Sequence, residues 1–518
     1  MQGKQLRVRK LFMSFVSPLH QYLSKTDLKD INSALIAYLG ALDQVAQISP
    51  LTATHIVQEL ADQRTHLKLI ASENYSSLAT QAAMGNLLTD KYAEGYAYHR
   101  FYAGCDNVDA IEQEATTLAC ELFGAEHAYV QPHSGADANL VAYWAILNTR
   151  IQAPLLEEFG TTNPSALSQD DWNKIRHATG NQRLLGLDYY SGGHLTHGYR
   201  QNVSAQMFDA YSYTVDPKTG VLDYDEIEKQ VKEIKPLILL AGYSAYPRLI
   251  DFKKMSEIAH ANNAVLMVDM AHFAGLVAGK AMKGNYDPVA WADVVTTTTH
   301  KTLRGPRGGM VLCTKEFSEA VDKGCPLVIG GPLPHMLAAK VVAFKEALDP
   351  SFQTYAQQVV NNSQALAQSC IDEGMVVATG GSDNHLMLLD VTPFGLNGRQ
   401  AESALRESGM TLNRNALPFD PNGPWYTSGL RIGTPAITTL GMGAQEMKEI
   451  ASIIKLVLEH TKPVILTKGA NAGQMSKARA TTDEKVIEEA QNRVQALLKK
   501  FVLYPELDLE LLQGYGLA

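Results

Sequence analysis

No stretch of about 18 consecutive apolar residues occurs in the 518-residue chain, so a helix crossing a bilayer is not expected. Basic residues are not in excess: the formal net charge is −9, which argues against the cationic surface that nucleic acids require. Cysteines are few and scattered. The five of them (Cys105, Cys120, Cys313, Cys325 and Cys370) include no CxxC pair, and their odd number suits a reducing, cytoplasmic compartment better than a disulfide framework. Each reads as a small core residue, and no metal site is expected. No internal repeat stands out. Arg7, Arg9 and Lys10 precede Leu11-Phe12-Met13, but Ser14, Ser17, His20 and Gln21 interrupt the apolar segment that a targeting signal needs. Met13 is an alternative start to Met1.

What the chain does contain is length enough for two or more domains with their own cores. Between about residues 75 and 345, short apolar runs alternate with helical patterns, at 128–130, 236–241, 264–268, 294–295 and 309–313. These runs are apolar on both faces, so they are expected as central strands of a mainly parallel sheet covered by helices. Ligands of such sheets sit beyond the carboxyl ends of the strands, where several polar residues of this chain fall. Residues 150–186 carry Pro154, Gly160, Pro164 and Gly180 among polar side chains and read as an insertion of loops and short helices. From 347 onward the pattern is that of a smaller α+β domain. It has strands at 376–377 and 386–391, a flexible excursion over 462–482 that includes Gly469 and Gly473, and a helix at 483–501. The expected domains are an extension over 1–45, a large domain over 46–346 and a small one over 347–518.

Lys301 follows one of the apolar runs, where an ammonium is costly to desolvate. Condensing the amine with an aldehyde relieves that charge. Asp269 ends the preceding run and can sit on the same sheet edge. Alone it reads equally as a helix N-cap; beside the lysine it can keep the ring nitrogen of a pyridoxal group protonated and electron-withdrawing. Ser134-Gly135-Ala136 lies between a strand ending near Gln131 and a helical run from about Asp137, where backbone N–H groups suit a phosphate. Each feature is commonplace by itself; three of them at three strand ends are not.

These residues belong to longer stretches that resemble the serine hydroxymethyltransferase family, in the same order, from about residue 46 to 460. They are Leu69-Ile-Ala-Ser-Glu-Asn-Tyr75, Lys91-Tyr-Ala-Glu-Gly-Tyr96, Gln131-Pro-His-Ser-Gly135 and Gly192-Gly-His-Leu-Thr-His-Gly198. Ser244-Ala-Tyr246, Val268-Asp-Met-Ala-His272, Thr296-Thr-Thr-Thr-His-Lys-Thr-Leu303, Gly305-Pro-Arg-Gly-Gly309 and Thr427-Ser-Gly-Leu-Arg-Ile-Gly-Thr434 continue the series. The resemblance implies a fold-type I, pyridoxal-phosphate-dependent α/β enzyme. Its large domain would be like that of aspartate aminotransferase, with a mainly parallel seven-stranded sheet, and would carry a smaller α+β carboxyl-terminal domain. It implies reversible conversion of L-serine and tetrahydrofolate to glycine and methylenetetrahydrofolate.

The family's roles carry over residue by residue. Lys301 would hold the cofactor as a Schiff base, and Asp269 would pair with its ring nitrogen. His194 would stack on the ring, on a loop that the two preceding glycines let approach a flat ligand. Ser244 and His272 would bond the phenolic oxygen, and Ser134, Gly135 and His300 the phosphate. Arg431 would clamp the substrate carboxylate with its two-pronged guanidinium, with Ser72 and Tyr102 beside it. Glu94, flanked by Tyr92 and Tyr96, is expected as general acid and base, and Thr298 counts with the catalytic set. Tyr189, Gly193, His194, Leu195, Phe101 and Asn415 would receive folate. Family active sites are shared between two subunits. Tyr92, Gly330 and Gly331 would therefore act on the partner's phosphate in an obligate homodimer, or in a tetramer.

The chain also departs from the family. Where relatives read Phe-Pro-Gly-Gly-Gln-Gly-Gly it has Cys325-Pro-Leu-Val-Ile-Gly-Gly331, so Cys325 replaces an aromatic that helps to cover folate. Tyr189 stands for a common leucine and Phe101 for a tyrosine. The 150–186 insertion, just before the His194 loop, is expected either to border the folate entrance or to decorate the surface. Two rival readings are a folate-independent amino-acid racemase or threonine-type aldolase on the same Lys301, and a non-catalytic scaffold. The intact set Lys301, Asp269, Glu94 and Arg431 speaks against the second.

Overall fold

The computed structural model describes residues 17–468 and 472–516. The basic amino-terminal segment, the two alternative starts and residues 469–471 of the excursion lie outside the described residues. The chain divides into two compact units: residues up to Lys68 with those from Gln491 onward, and Leu69–Ala490. The 346/347 boundary read from the sequence falls inside the second unit.

In the first unit, helices Pro18–Lys25, Ser33–Ile48 and Pro50–Thr65 follow one another closely. Asn32 caps the second of them by accepting from the N–H groups of Ala34 and Leu35, both at 3.0 Å. Leu35, Leu39, Leu42, Val57 and Leu60 turn inward. The Arg64 guanidinium donates to the carbonyls of Leu503, Tyr504 and Leu507 at 2.9, 2.6 and 2.8 Å. That contact ties the two ends of the chain into one body.

The second unit is built on a seven-stranded sheet. Its strands are β1 (His127–Tyr129), β2 (Arg183–Leu187), β3 (Asp209–Tyr213), β4 (Ile238–Gly242), β5 (Val265–Asp269), β6 (Val294–Thr298) and β7 (Gly309–Cys313), in the order β1-β7-β6-β5-β4-β2-β3. All neighbours are parallel except β7, which runs antiparallel to β1 and β6. β4 to β7 are buried throughout. Their alternate side chains enter two separate cores, Leu239, Leu266 and Val268 on one face, Leu240, Met267 and Val294 on the other. Each such buried aliphatic side chain contributes roughly 1.5–3 kcal/mol of transfer free energy. Two-sided burial is why these runs lack polar alternation. β2 and β3 escape the sequence pattern because β3 is a largely exposed edge and β2 begins within the stretch read as insertion.

Of the two expectations for that insertion, the course of the chain favours the surface one. Helix α1 (Gly135–Leu147) starts at the carboxyl edge of the sheet and leads away from it. A π-helical turn, Asn148–Gln152, the short helix Ala153–Glu158 and α2 (Gln169–Gly180) then lead into the start of β2. The insertion therefore lies at the amino edge of the parallel strands, where Arg150 pairs with Glu316 at 2.9 Å. It does not border a ligand entrance at the opposite edge.

The carboxyl-terminal part carries an antiparallel sheet of β8 (Val376–Val377), β9 (Leu386–Asp390), β10 (Asn413–Asn415) and β11 (Gly429–Gly433), in the order β8-β9-β11-β10. The excursion expected to be flexible contains a paired ribbon, Thr461–Ile465 against Met475–Thr482. Gln400 and Asn397 hold it through the carbonyls of Ser476 and Lys477, at 2.6 and 2.8 Å.

One buried cation fastens the sheet beneath the Ser134 turn. Lys340, on helix α3 (Pro334–Leu348), is 1% exposed. Its Nζ donates to the carbonyls of Val130, Gly309 and Pro132 at 2.5, 2.8 and 3.3 Å. Burial draws the ammonium down to about 7. Lys340→Met leaves the Val130 and Gly309 carbonyls without this donor, while Pro132 still accepts from the Gly309 N–H at 2.9 Å, and is expected to cost roughly 2–3 kcal/mol of stability. Urea-unfolding midpoints measure this, and a midpoint unchanged from wild type would contradict the assignment.

Candidate active site

The carboxyl ends of β4, β5 and β6 open into a cavity of about 380 Å³ whose wall includes Ser244, His272 and Lys301. Each of these three follows a different strand. Asn74 fixes the Lys301 backbone by donating to its carbonyl at 3.0 Å. Asn74 is in turn held by the hydroxyls of Tyr355 and Thr439, at 2.6 and 2.7 Å. Desolvation lowers the Lys301 ammonium to about 8, although Asp269 favours its charged form. Among the described residues no side-chain bond or ion pair engages its Nζ.

Asp269 closes β5 and is 7% exposed. Its Oδ2 accepts from Asn139 Nδ2 at 2.9 Å and from His197 Nε2 at 3.2 Å, and its Oδ1 from the Ala271 N–H at 3.0 Å. Burial alone would raise this carboxyl, but His197, His194 and Asn139 hold it well below the usual carboxylate range. His197 Nδ1 accepts from the His194 N–H at 3.3 Å, so Nε2 carries the proton that faces Asp269. His194 itself lines the cavity, with Nδ1 bonded to Thr196 Oγ1 at 2.7 Å. Desolvation draws His194 down to about 4, against the pull of Asp269. The ligand atoms of His194, His197 and Asp269 converge within 4.8 Å, as a metal site would require, but hydrogen bonds already join these groups.

Ser134 caps α1, its hydroxyl accepting from the Asp137 N–H at 3.2 Å, and Gly135 opens the helix. A Cβ on Gly309 would stand 2.2 Å from the Ser134 carbonyl, so the close approach of β7 to this turn needs glycine. His300 Nδ1 is buried without a partner, and desolvation with nearby Arg307 lowers its ring to about 3. Thr298, expected with the catalytic set, does not line the cavity. Its hydroxyl donates to the Ala271 carbonyl at 3.1 Å and serves to hold β5 and β6 together.

Arg431 and Ser72 share the cavity wall. Arg431 Nη1 donates to the Ser244 carbonyl at 2.7 Å and Nε to Asn413 Oδ1 at 3.2 Å. Desolvation lowers this guanidinium to about 10, and no carboxylate pairs with it among the described residues. Ser72 is brought near because Gly433 leaves room for the Ala71 backbone, which a Cβ would approach to 2.3 Å.

Tyr189, Gly193, Leu195 and Asn415 also line the cavity, joined by Arg414, which sequence reasoning passed over. The Tyr189 ring packs on Tyr190 and Tyr199 with centroids 5.3 and 5.1 Å apart. Cys325 does not line this cavity: it is 2% exposed, in the apolar cluster with Val141 and Phe317, beside Gly95 and near Glu94.

The remaining expected residues gather in a second cluster that does not line this cavity. Tyr92 donates to Glu94 at 3.4 Å, and its ring meets Tyr102 edge-on at 5.4 Å. A Cβ on Gly331, next to Gly330, would lie 3.1 Å from the Tyr92 ring. Tyr92, Phe101 and Tyr102 are 57%, 71% and 47% exposed. Beneath them Arg100 donates to the carbonyls of Ala93 and Gly95, on either side of Glu94, at 2.9 and 3.0 Å. Arg100 also pairs with Asp109 and Glu112, both at 2.8 Å.

A seven-stranded sheet of this order, with a desolvated lysine and a buried carboxylate at the ends of adjacent strands, defines an α/β enzyme of fold-type I. The family model described as serine hydroxymethyltransferase matches residues 45–156 and 175–454, leaving out part of the insertion. A serine hydroxymethyltransferase of Treponema pallidum is 61% identical over 499 residues, 96% of this chain and 86% of that protein. Those of Cutibacterium acnes and Salinispora tropica are 55% and 54% identical, covering 91% and 92% of this chain and 96% and 99% of their own lengths. The chain belongs to the serine hydroxymethyltransferase family.

The lowered ammonium has a direct consequence. Only the neutral amine is nucleophilic, so labelling of Lys301 in the cofactor-free protein should rise through a midpoint near pH 8. Because Asp269 holds that value up, Asp269→Asn is expected to move the midpoint lower. Mass spectrometry of protein pulse-labelled with an acylating reagent reads both, and an upward shift in the variant would refute this electrostatic account.

Proposed function

We propose that the chain interconverts L-serine and glycine, passing the hydroxymethyl carbon to and from tetrahydrofolate, with pyridoxal 5′-phosphate as its cofactor. The observation that carries the reading is Lys301 in a cavity that also holds Arg431, a partly buried cation with no carboxylate partner among the described residues, with the Asp269 carboxylate near enough to favour the charged amine. The residues fit the cofactor. Lys301 offers an amine lowered to about 8 for the aldehyde, and Asp269 an anion for the protonated ring nitrogen. The Ser134 turn and the orphaned Nδ1 of His300 suit the phosphate. When bound, the cofactor supplies an electron sink for bonds broken at the substrate α-carbon.

The chain's own groups do the rest. Arg431 would bind the substrate carboxylate through the guanidinium nitrogen that Ser244 and Asn413 leave free, with Ser72 beside it. His194, neutral above about pH 4, would lie flat against the ring without adding charge. Tyr189, Gly193, Leu195 and Asn415 would receive the folate. Cys325, whose replacement of an aromatic motivates a folate-independent racemase or aldolase, is buried beside Gly95 and near Glu94, so that alternative keeps its motive.

Glu94 would take and return the proton of the substrate hydroxyl. Its separation from the Lys301 cavity, and the exposed aromatic surface around it, support a second copy of the chain as the partner it serves. Tyr92, Tyr102, Gly330 and Gly331 would cross with it, making the homodimer obligatory. Five free thiols support a reducing, cytoplasmic setting; no helix among the described residues is long and apolar enough to cross a membrane.

A folate-dependent serine-to-glycine assay tests the reading. Lys301→Ala and Glu94→Gln are each expected to lose roughly 10²–10⁴-fold in turnover. Random pairing of the two inactive chains would place one intact shared site in half of the dimers, restoring about a quarter of wild-type activity. Full activity in Lys301→Ala would overturn the mechanism, and failure of the mixture to recover would place Glu94 in its own chain's site. Serine cleavage indifferent to tetrahydrofolate would favour the rival chemistry.

A further inference from the structure

His385, immediately before β9, is completely buried, and its Nε2 meets His272 Nδ1 at 3.1 Å. Its backbone cannot drift: the carbonyl accepts from the Thr434 N–H at 3.0 Å, and neighbouring Asn384 donates to the Tyr246 carbonyl at 3.0 Å. The other ring nitrogen, Nδ1, is buried without a partner. His272 follows β5 and lines the cavity with Lys301 and Ser244. Both rings are neutral. Desolvation, with Arg431 and Lys301 nearby, draws His385 to about 3 and His272 well below the ordinary imidazole range.

Two neutral imidazoles sharing one hydrogen bond have two arrangements. If His272 donated from Nδ1, the His385 proton would sit on its own buried Nδ1, an N–H with nothing to accept it. Orphaned buried N–H groups are the rarer defect, and leaving one unpaired costs about 1–3 kcal/mol. In the other arrangement His385 donates from Nε2, and only a bare lone pair is left at its Nδ1. His272 then accepts at Nδ1 and must carry its own proton on Nε2.

We propose that His385 is a positioning residue that fixes His272 as a hydrogen-bond donor, by pinning the His272 proton on the ring nitrogen left free for a ligand. Its acceptor is an anionic oxygen of that ligand, which on the function proposed above is the phenolic oxygen of the cofactor. The inference rests on that reading for the acceptor alone; the tautomer is a property of the chain.

Nitrogen NMR of full-length protein carrying isotope-labelled histidine, with cofactor bound and after its removal, reads the tautomers directly. A proton on Nε2 of both His272 and His385 is expected, and a proton on Nδ1 of His272 would overturn the proposal. Protein that takes up no cofactor would sink the functional reading while the tautomer result still decides this one. Two variants supply a second readout. His385→Gln keeps an amide N–H where Nε2 stood, whereas His385→Leu keeps bulk without a donor. In the loaded enzyme the leucine variant should shift the balance of the visible absorption bands and lower kcat about tenfold, with serine KM within about twofold of wild type. The glutamine variant should stay near wild type in all three. Equal impairment of both variants would mean that the histidine only packs, and would refute the proposal. Should the leucine variant not fold, the wild-type spectra decide alone.

Discussion

Asp269 keeps its negative charge at the end of an apolar strand because three donors converge on it, from Asn139, His197 and the Ala271 backbone. Desolvating a carboxylate is so unfavourable that, without them, it would take up a proton. Each donor is itself committed. Asn139 accepts from Thr296 at 2.5 Å and also donates to Thr196, which holds His194. His197 accepts from the His194 backbone. The anion, the ring above it and the strands on either side are therefore one hydrogen-bonded object. Its geometry is set by α1, β5, β6 and the loop after β2, and disturbing any member leaves a charge or a polar atom unpaired in low dielectric.

Two cations complete this arrangement in a different way. Lys301 and Arg431 share the cavity with no carboxylate bonded to either among the described residues, and desolvation lowers both. A fold does not keep two such groups unpaired for stability; they make sense as receptors for anions or aldehydes that arrive with ligands. Lys340, by contrast, is buried with all three of its donors satisfied by carbonyls, and is purely a fastener. The sheet thus holds one lysine whose donors are satisfied by the fold and one whose donor is left for a ligand on the function proposed above. The Glu94 cluster is a third kind of element. Arg100 holds it rigidly from below through a buried ion-pair network, yet it faces outward among exposed aromatic rings.

Much of this was legible in the sequence. The strands that are buried on both faces announce themselves as unbroken apolar runs, and Lys301, Asp269 and Ser134 stand out because each interrupts such a run at its end. Arg431 and Glu94 were legible only through family resemblance, since an arginine or glutamate in a turn has no local signature of burial. His197, Asn139 and His385 were missed. His197 lay within a motif already singled out, three residues from His194, but its partner Asp269 is distant in sequence. His385 meets His272 only because the two sheets pack together, and no spacing encodes that. The edge strand β3 and the ribbon near the carboxyl end went unread for the same reason: exposed strands carry weak periodicity, and their pairing partners are fixed by tertiary contacts. The placement of the 150–186 insertion followed from topology rather than composition, because it depends on which edge of the sheet α1 runs toward.

The central claim is covalent: one lysine, at the end of β6, holds the aldehyde. Incubation of the full-length protein with pyridoxal 5′-phosphate, reduction with borohydride and peptide mapping by mass spectrometry test it most directly. The account predicts a single modified peptide with the added mass on Lys301. Modification spread over surface lysines with Lys301 unlabelled, or no modification at all, would contradict it.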